Sequence, residues 1–359
     1  LGQARFNSRD SVLVDGRSLS FSKALIATGS RPKAPPIDGL EQVDYLTNES
    51  VFSLTKLPPR RGVIGAGPIG CELGQTFARL GADVVMVETR HGILAKEDAD
   101  CSDVVRTAME RDGVKLLCCG RNMRVDDADD GIRLQLESHG QACDEVVDRL
   151  LVAAGRAPNV DALDLDVADV DSGADGVIVD DRLRTSNHDI FAAGDVCTHY
   201  KFTHAADFMA RMVLQNALFM GHSKMSDLVI PWCTYTSPEI AHVGLGEESA
   251  ADRGVEVHTY TQQLQAVDRA ILDGETDGLV KVHCEPGSDR ILGATIVAAN
   301  AGDMIAEFSL AMTNGLGLAD IGKSIHPYPT QAEAVRQPAD QYQRTKLTPL
   351  VENVFDKWL

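Results

Sequence analysis

Three glycines and one carboxylate carry the clearest chemical signal in this chain of 359 residues. Gly65, Gly67 and Gly70 form a G-x-G-x-x-G motif that follows an apolar run and precedes residues with helical spacing. Glu88 follows Gly67 by about 20 residues, the separation expected between such a motif and a carboxylate that binds a ribose. The combination predicts a dinucleotide-binding site, whereas the motif alone would equally fit a structural turn.

Each residue of the motif has a physical reason to be there. Gly65 permits a tight turn, Gly67 lets a pyrophosphate approach the backbone, and Gly70 lets the helix pack closely on the strand. Pro68 and Ile69 open the helix, and we expect them to line the cofactor as well. Because the unpaired N–H groups of a helix N-terminus bind phosphate, the pyrophosphate is expected at this end of the helix.

Glu88 is expected to select the coenzyme. Its carboxylate can accept hydrogen bonds from the ribose hydroxyls and repels a 2′-phosphate, so the sequence favours NADH over NADPH. Arg90 keeps NADPH open as the alternative, because an arginine can pair with that phosphate.

The elements around the motif alternate between strand and helix. Residues 62–64 and 84–87 are predicted strands, and apolar residues recur at helical spacing from Ile69 to Leu80 between them. This β-α-β order implies a parallel sheet with a right-handed crossover. Further predicted elements are a small β-meander that feeds a buried strand at 24–29, a strand at 190–193, a hairpin of 279–283 and 291–297, and helices at 204–219 and 303–314.

The composition argues against several kinds of partner. A net charge of −19, from 34 basic and 53 acidic residues, disfavours nucleic acid, because affinity for its backbone comes from clustered cations. The chain has no run of about 18 apolar residues, so no membrane partner is expected. The eight cysteines show no C-x-x-C spacing, which predicts reduced thiols, no metal site and a cytoplasmic protein. Adjacent Cys118 and Cys119 could bind a soft metal, but the apolar run before them favours an ordinary strand end.

Four further motifs make the chain similar to the class I pyridine nucleotide-disulfide oxidoreductases, the flavoprotein disulfide reductases. They resemble that family's A-T-G-x-x-P, G-R-x-P-N, second flavin and interface-domain signatures, at residues 27–32, 154–159, 185–195 and 325–333. In this order the resemblance covers residues 1 to about 345. The chain most resembles the mercuric-reductase-like and dihydrolipoamide-dehydrogenase-like branches.

The resemblance implies FAD as a second cofactor. In the family's second flavin motif a strand ends in Gly-Asp, here Gly194 and Asp195, and the carboxylate binds a ribityl hydroxyl. Thr28 and Gly29 would line the same cofactor through the backbone. Gly155, in the motif that closes the nicotinamide domain, is implied to contact a cofactor as well.

The same resemblance implies catalytic residues, with one departure. Tyr328 stands where the family usually has a histidine base, and Glu333 keeps the position of the glutamate that orients it. Deprotonating tyrosine at pH 7 costs about 4 kcal/mol, so Tyr328 is expected to donate a hydrogen bond rather than act as a base, and His326 is the alternative. Glu72 is implied to lie near nicotinamide and flavin, although it could also complement the helix dipole.

The predicted fold is therefore α/β, with a Rossmann-like NAD(P)-binding domain inserted in a partial FAD-binding domain and followed by a C-terminal α+β dimerisation domain. The expected segments are 1–40 and 161–228 for FAD, 41–160 for NAD(P) and 229–359 for dimerisation. The family's first glycine fingerprint and its C-x-x-x-x-C disulfide are not found in the sequence. Because the chain starts at Leu1 rather than Met, we expect a fragment or a processed product. If the protein is longer, the missing part is expected before Leu1; if it is not, strong FAD binding and disulfide chemistry are not expected.

The resemblance implies a homodimeric, FAD-dependent NAD(P)H oxidoreductase that sends electrons to a disulfide or a small-molecule acceptor. One alternative is a flavin transhydrogenase or oxidase that uses no disulfide. The other is a truncated, catalytically inactive module that binds nucleotide and dimerises. The acceptor itself is not predicted, because the family's acceptor contacts lie partly in the absent N-terminal part.

Overall fold

The structure is a computed structural model that describes residues 2–347; Leu1 and residues 348–359, which end the predicted dimerisation segment, lie outside the described residues. The first strands are β1 Ala4–Ser8, β2 Ser11–Val14, β3 Arg17–Ser20, β4 Ala24–Ile26, β5 Ser30–Pro32, β6 Tyr45–Leu46, β7 Arg60–Ile64, β8 Asp83–Val87, β9 Val114–Leu117, β10 Arg121–Ala128 and β11 Gly131–Ser138. They continue as β12 Gln141–Val147, β13 Arg149–Val152, β14 Arg156–Pro158, β15 Ser172–Gly173, β16 Gly176–Val177, β17 Ile190–Ala192, β18 Pro231–Thr234, β19 Glu239–Gly244, β20 His258–Gln263, β21 Leu279–Cys284 and β22 Ile291–Ala298. The helices are α1 Pro68–Arg79, α2 Ala99–Arg111, α3 Thr203–Leu218, α4 Glu247–Asp252, α5 Asp268–Asp273, α6 Ala301–Thr313, α7 Leu318–Lys323 and α8 Glu333–Arg344.

The chain folds into two compact units, each made of two stretches of sequence. Within the described residues, the first unit consists of 2–34 and Gly155–Leu228. The second unit consists of Pro35–Ala154 and 229–347. Along the sequence, the chain therefore passes from the first unit into the second, returns to the first, and then enters the second again.

The first unit contains the predicted meander and a small parallel sheet. Strands β1, β2 and β3 pair antiparallel in that order, which confirms the meander. Strand β4 pairs in parallel with β17, and β5 pairs antiparallel with β14. The prediction of a buried strand at 24–29 is wrong in part, because the strand ends at Ile26 and Leu25 is 40% exposed. Successive side chains of a strand point to opposite faces, and here Ile26 is buried whereas the face that carries Leu25 is open.

The second unit contains the predicted β-α-β unit. Five parallel strands stand in the order β6, β13, β7, β8, β9, and α1 connects β7 to β8. The predicted strands and helix are thereby confirmed within a residue or two at each end. Val63, Met86 and Cys71 are fully buried between this sheet and α1, since buried parallel strands are apolar on both faces. Strands β10, β11 and β12 form a separate antiparallel sheet before β13.

The rest of the second unit is an antiparallel sheet with helices. Its strands stand in the order β18, β19, β22, β21, β20, and the predicted hairpin of β21 and β22 is confirmed. Helix α6 packs on β19 and β22 and matches the helix predicted at 303–314. Its buried Phe308 and Ile305 belong to the same core as Val280 and Ile296 of the sheet.

A group of polar and charged side chains around the buried Lys281 joins the two halves of this unit. We call it the Lys281 cluster, and it consists of Lys281, Asp98, Asp100, Glu247 and His283. The Lys281 ammonium lies 2.6 Å from a carboxylate oxygen of Glu247, 2.8 Å from Asp100 and 3.2 Å from Asp98. Burial lowers the pKa of Lys281, but the hydrogen bonds to Asp100 and Glu247 outweigh it and raise the pKa above its usual value. The ammonium therefore stays charged and fully paired, as buried charges must be.

Next to this cluster lies a carboxyl group whose pKa shift favours its neutral form. Burial raises the pKa of Glu97 to about 7, and the indole N–H of Trp232 donates a 2.6 Å hydrogen bond to it. Burial also lowers the pKa of neighbouring His242 to about 4. Both groups are therefore held towards their neutral forms inside the unit.

Replacing Glu97 with glutamine should stabilise the protein at high pH. The folded-state pKa of about 7 exceeds the ordinary value of 4.5, so stability that the neutral carboxyl confers at low pH is lost as pH rises between the two values. Glutamine still accepts the Trp232 hydrogen bond and does not ionise. We expect the free energy of unfolding of Glu97→Gln to exceed the wild-type value by up to about 3 kcal/mol near pH 8 and to equal it near pH 4.

Urea denaturation across that pH range measures the effect, with Glu41→Gln as the matched control. Glu41 is exposed, so this control should follow the wild-type curve at every pH. A Glu97→Gln difference that does not change with pH would contradict the assignment.

Candidate functional site

The three glycines of the loop between β7 and α1 have different structural roles. Gly65 has φ +101°, a left-handed conformation that L side chains rarely adopt. A Cβ on Gly70 would overlap the carbonyl oxygen of Gly65, so helix and loop meet here without room for a side chain. Gly67 is different, because its backbone is extended at φ −79° and a Cβ there would meet nothing within 4 Å. The fold requires glycine at 65 and 70, whereas at 67 it leaves open space.

That open space lies at the beginning of helix α1. Gly67 is the N-cap, Pro68 is the first helical residue, and the first helical hydrogen bond runs from the Cys71 N–H to the Gly67 carbonyl at 2.9 Å. The N–H groups of Ile69 and Gly70 accordingly have no acceptor within the helix. Together with the positive end of the helix dipole they form the elements of a phosphate site.

The Glu88 carboxylate is fixed directly after β8, beside this loop. One oxygen accepts a 2.9 Å hydrogen bond from the Ala66 N–H, and the other accepts one of 2.9 Å from the Arg90 N–H and one of 3.1 Å from the Thr89 hydroxyl. Burial raises the pKa of Glu88, but the hydrogen bonds from Arg90 and Ala66 outweigh it and hold the pKa below its usual value. The structure thus brings an ionised carboxylate to the glycine loop, in contact with its backbone.

Glu72 occupies the second turn of α1 and is half-buried. Its carboxylate accepts a 2.8 Å hydrogen bond from the Tyr235 N–H, just beyond β18. Burial raises the pKa of Glu72 and this hydrogen bond lowers it only in part, so the net shift is upward. The structure therefore places Glu72 against the loop after β18, a contact that no motif in the sequence indicates.

In the first unit, Asp195 follows β17 at the end of the small parallel sheet. Its carboxylate accepts a 2.6 Å hydrogen bond from the Ser30 hydroxyl and lies 3.5 Å from Nε of Arg156. Gly194 has φ +79°, and a Cβ there would lie 3.2 Å from the Cβ of Ala206 in the first turn of α3. Asp195 is thus oriented by two side chains next to a helix N-terminus.

Sequence reasoning did not identify Ser30 and Arg156 as site residues. Both belong to motifs that the sequence shows, since Ser30 follows Thr28 and Gly29 and Arg156 follows Gly155. A polar side chain directly after a glycine of each motif is the sequence feature that could have identified them. Arg156 also donates a 2.7 Å hydrogen bond from Nε to the Ser30 hydroxyl, so the two residues support Asp195 together.

Thr28, Gly29 and Gly155 lie on the loops that join these strands. The Thr28 hydroxyl donates to the carbonyl of Asn159 at 2.7 Å, and the Asn159 amide donates back to the Thr28 carbonyl at 2.9 Å. Gly29 and Gly155 have φ values of +69° and +126°, and a Cβ on either would meet nothing within 4 Å. The Gly155 carbonyl accepts a 3.1 Å hydrogen bond from the Lys33 N–H. The structure therefore brings Thr28, Gly29 and Gly155 into one group of loops.

The C-terminal motif forms a different set of contacts from the expected one. Tyr328 is 69% exposed, and its hydroxyl donates a 2.7 Å hydrogen bond to Asp268. That hydrogen bond raises the pKa of Tyr328. Glu333 begins α8 and lies 3.7 Å from Arg336, whereas Nε2 of His326 lies 3.0 Å from Glu307. Within residues 2–347 Tyr328 and Glu333 share no hydrogen bond, so their expected pairing is not formed in this chain.

Comparison with known protein families and structures agrees with this architecture. Residues 1–210 match the family described as pyridine nucleotide-disulphide oxidoreductase, and residues 230–339 match its dimerisation domain. Members of this family use FAD and NAD(P)H. None of the helices in residues 2–347 combines the length and the hydropathy that a membrane crossing requires.

Similar proteins have related activities in their names. A mercuric reductase of Lysinibacillus sphaericus is 38% identical over 93% of this chain, and a dihydrolipoyl dehydrogenase of Thermus scotoductus is 34% identical over 94%. The chain spans 62% of the first of these relatives and 74% of the second. The HOCl-induced flavoprotein disulfide reductase RclA from Escherichia coli is 27% identical with a TM-score of 0.85, over 94% of this chain and 78% of that one.

These matches confirm the α/β fold, with an FAD/NAD-binding part and a C-terminal dimerisation domain, that the motifs predicted. The first family match alone extends over more than half of the chain. The chain belongs to the pyridine nucleotide-disulphide oxidoreductase family.

Proposed function

We propose that this chain is the NAD(P)H-binding and dimerising part of an FAD-dependent oxidoreductase of the disulfide-reductase type, with NADH as the preferred coenzyme. The observation that carries the proposal is the space beside Gly67, which the fold leaves open at a helix N-terminus next to an ionised Glu88. A pyrophosphate placed there would receive the helical N–H groups, and the adjoining ribose would meet the carboxylate.

The first unit supplies residues that suit a flavin. FAD, when bound, accepts hydride from NAD(P)H and passes the electrons to an acceptor, either a disulfide or a small molecule. Asp195, held by Ser30 and Arg156, would accept a hydrogen bond from a cofactor hydroxyl. The α3 N-terminus next to Gly194 would stabilise negative charge on a nearby cofactor, because the positive end of the helix dipole lies there.

The acidic and phenolic groups of the second unit have narrower roles in this proposal. Glu72 would act beside the nicotinamide, where its raised pKa lets it hold a proton more readily than an ordinary carboxyl. Tyr328 would donate a hydrogen bond rather than accept a proton, because its pKa is raised. His326 lies 3.0 Å from Glu307, so it would serve mainly to order the loop.

Coenzyme selection by Glu88 can be tested by removing its charge alone. Glu88→Gln keeps a carbonyl oxygen that can accept the Ala66 hydrogen bond but no longer repels a 2′-phosphate. The variant loses the repulsion between the Glu88 carboxylate and the 2′-phosphate, which at close range is at least about 1.4 kcal/mol. We therefore expect the dissociation constant of NADPH, divided by that of NADH, to fall by about 10-fold or more. Titration with each coenzyme measures the ratio, and exposed Glu49→Gln is the control. An unchanged ratio in Glu88→Gln would contradict the role of Glu88.

We also propose that the chain forms a homodimer through its C-terminal part. Three large side chains outside the core point to a covered surface: Ile325 is 98% exposed, and Tyr328 and Leu310 are also mostly exposed. All three lie in residues 230–339, which match the family's dimerisation domain, so we expect them to be covered in the dimer. Ile325→Asp should therefore shift the protein towards monomer in sedimentation experiments, whereas Phe52→Asp, at an exposed residue outside this part, should not. A dimer of unchanged affinity in Ile325→Asp would rule out this surface.

The proposed function as a whole is tested with the purified protein and added FAD. A flavin absorbance that stays with the protein through gel filtration supports the proposal. A protein that binds NADH but stays colourless with FAD would contradict the flavin part and favour a nucleotide-binding module without turnover.

A further inference from the structure

Two cysteines and two histidines meet beyond the carboxyl end of β9, outside the residues assigned to either nucleotide. Their side-chain donor atoms, Sγ of Cys118 and Cys119 and a ring nitrogen of His91 and His139, all lie within 4.8 Å of one another. Sγ of Cys118 lies 3.2 Å from Nε2 of His139, and Sγ of Cys119 lies 3.7 Å from Nδ1 of His91. We call these four residues the Cys–His cluster.

The backbone holds the cluster together from three separate segments. Cys119 has φ +56°, and its N–H donates a 2.9 Å hydrogen bond to the Arg90 carbonyl next to His91. His139 has φ +51° in the tight turn between β11 and β12. The Ser138 hydroxyl donates a 2.7 Å hydrogen bond to the Cys118 carbonyl, which ties that turn to the end of β9. A left-handed backbone is energetically unfavourable for a non-glycine residue, so the surrounding fold must hold Cys119 and His139 in this conformation.

The set of donor atoms is that of a tetrahedral metal site. Two thiolates and two imidazoles bind Zn²⁺ with Zn–S near 2.3 Å and Zn–N near 2.0–2.1 Å, which places neighbouring donor atoms about 3.3–3.8 Å apart. Of the two S···N distances, 3.7 Å lies within this range and 3.2 Å lies just below it. Cys118 is 8% exposed and the other three are more accessible, so the cluster is anchored on one side and open to an entering ion on the other.

Two other groups of potential ligands in residues 2–347 do not compete as metal sites. Asp98 with Asp100 and Cys101, and Asp98 with Glu247 and His283, also bring donor atoms together. The Lys281 ammonium already lies 2.8 Å from Asp100 and 2.6 Å from Glu247 and is the cation of both groups. The Cys–His cluster has no such internal cation among its four members.

We propose that Cys118, Cys119, His91 and His139 form a binding site for a borderline-soft divalent cation, with Zn²⁺ as its representative. On binding, each thiol loses one proton to solvent, two S–Zn and two N–Zn bonds form, and the ion releases its water ligands. The two thiolate charges then balance the 2+ charge, and the neutral imidazoles complete the tetrahedron. No electrons are transferred.

The protonation of the free cluster makes binding depend on pH. A metal-bound cysteine is a thiolate, whereas a thiol with the ordinary pKa of about 8.5 is mostly protonated at neutral pH. Metal binding must displace that proton. The affinity should therefore increase with pH through the neutral range, and a bound metal should make Cys118 and Cys119 slow to react with thiol reagents.

The test titrates the full chain, reduced and freed of metal with a chelator, with Zn²⁺ in competition with a chromophoric chelator. Co²⁺ in a parallel titration reports the ligands, because tetrahedral thiolate coordination gives intense charge-transfer and d–d absorption. The site predicts one tightly bound Zn²⁺ per chain and the tetrahedral Co²⁺ spectrum. Saturation at one Zn²⁺ without a thiolate band for Co²⁺ would overturn it.

Variants locate the site. Cys119→Ser and His91→Ala, at accessible positions, should each weaken Zn²⁺ binding by about 100-fold or more, because even residues that only support a ligand are worth 10–100-fold. Cys143→Ser in β12 is the matched control, since it removes a cysteine from the neighbouring sheet and leaves the cluster intact. Thermal denaturation without metal confirms that each variant folds. Equal Zn²⁺ affinity in Cys119→Ser and in the control would overturn the proposal.

Discussion

Gly67→Val should abolish tight NADH binding while leaving the fold intact. The extended backbone at φ −79° is one that valine adopts readily, and a Cβ there meets nothing within 4 Å. Its methyl groups would fill the space proposed for the pyrophosphate and separate it from the helical N–H groups. Each hydrogen bond to a charged group contributes about 1.5–3 kcal/mol, so losing two weakens binding by about 100-fold or more.

Two further variants separate this effect from damage to the fold. Gly173→Val in β15 adds the same side chain at another position with no atom within 4 Å of a Cβ, and it should leave NADH binding unchanged. Gly70→Val should instead destabilise the protein, because its Cβ would overlap the Gly65 carbonyl. Isothermal titration with NADH and thermal denaturation give both readouts. A folded Gly67→Val protein that binds NADH as the wild type does would contradict the proposed site.

Lys281→Met should cost the protein about 3–5 kcal/mol of its free energy of unfolding, the range found when one partner of a buried ion pair is removed. Lys281 is 3% exposed and is the cation for Asp98, Asp100 and Glu247. The Asp98 carboxylate is equally buried and would keep only the hydrogen bonds from His283 and the Glu247 N–H. Methionine fills a similar volume, so the loss reports the missing charge rather than a cavity.

An exposed lysine of the same unit provides the comparison. Lys323 pairs with Asp320 at 2.7 Å on the surface, where such pairs contribute about 0–1 kcal/mol. Lys323→Met should therefore change the free energy of unfolding by less than about 1 kcal/mol in urea denaturation. Equal small losses in both lysine variants would show that the Lys281 cluster does not hold this unit together.

The glycine loop could be predicted from sequence because phosphate binding and the local fold both require glycine within the same few residues. Gly65 needs a left-handed backbone, Gly70 needs close packing, and the apolar runs before and after have strand and helix periodicity. These requirements are local, so they leave a pattern in consecutive residues. The same holds for the hairpin of β21 and β22, because two apolar runs on either side of Pro286 and Gly287 predict it.

The contacts between distant segments left no such pattern. Lys281 and Asp100 are 181 residues apart, and neither position shows by itself that its side chain is buried. Tyr328 meets Asp268 rather than Glu333, because α5 brings a carboxylate to it that no spacing rule connects with the C-terminal motif. The Cys–His cluster joins three segments in the same way, so no C-x-x-C spacing could reveal it.

The partly exposed strand β4 shows a second limit. Six apolar or small residues ending in a glycine predict a buried strand, but burial depends on what lies across the strand. In β4 the face with Ile26 is covered and the opposite face with Leu25 is not. The apolar pattern therefore predicts that a strand is present here but not how much of it is buried.

The most direct test of the account is the anaerobic addition of NADH to the FAD-loaded protein, followed by the absorbance of the oxidised flavin. If the glycine loop and the Asp195 motif serve one hydride transfer, the absorbance should be lost with one equivalent of NADH and persist in Gly67→Val. FAD-loaded protein that binds NADH and keeps its full oxidised-flavin absorbance would contradict the account.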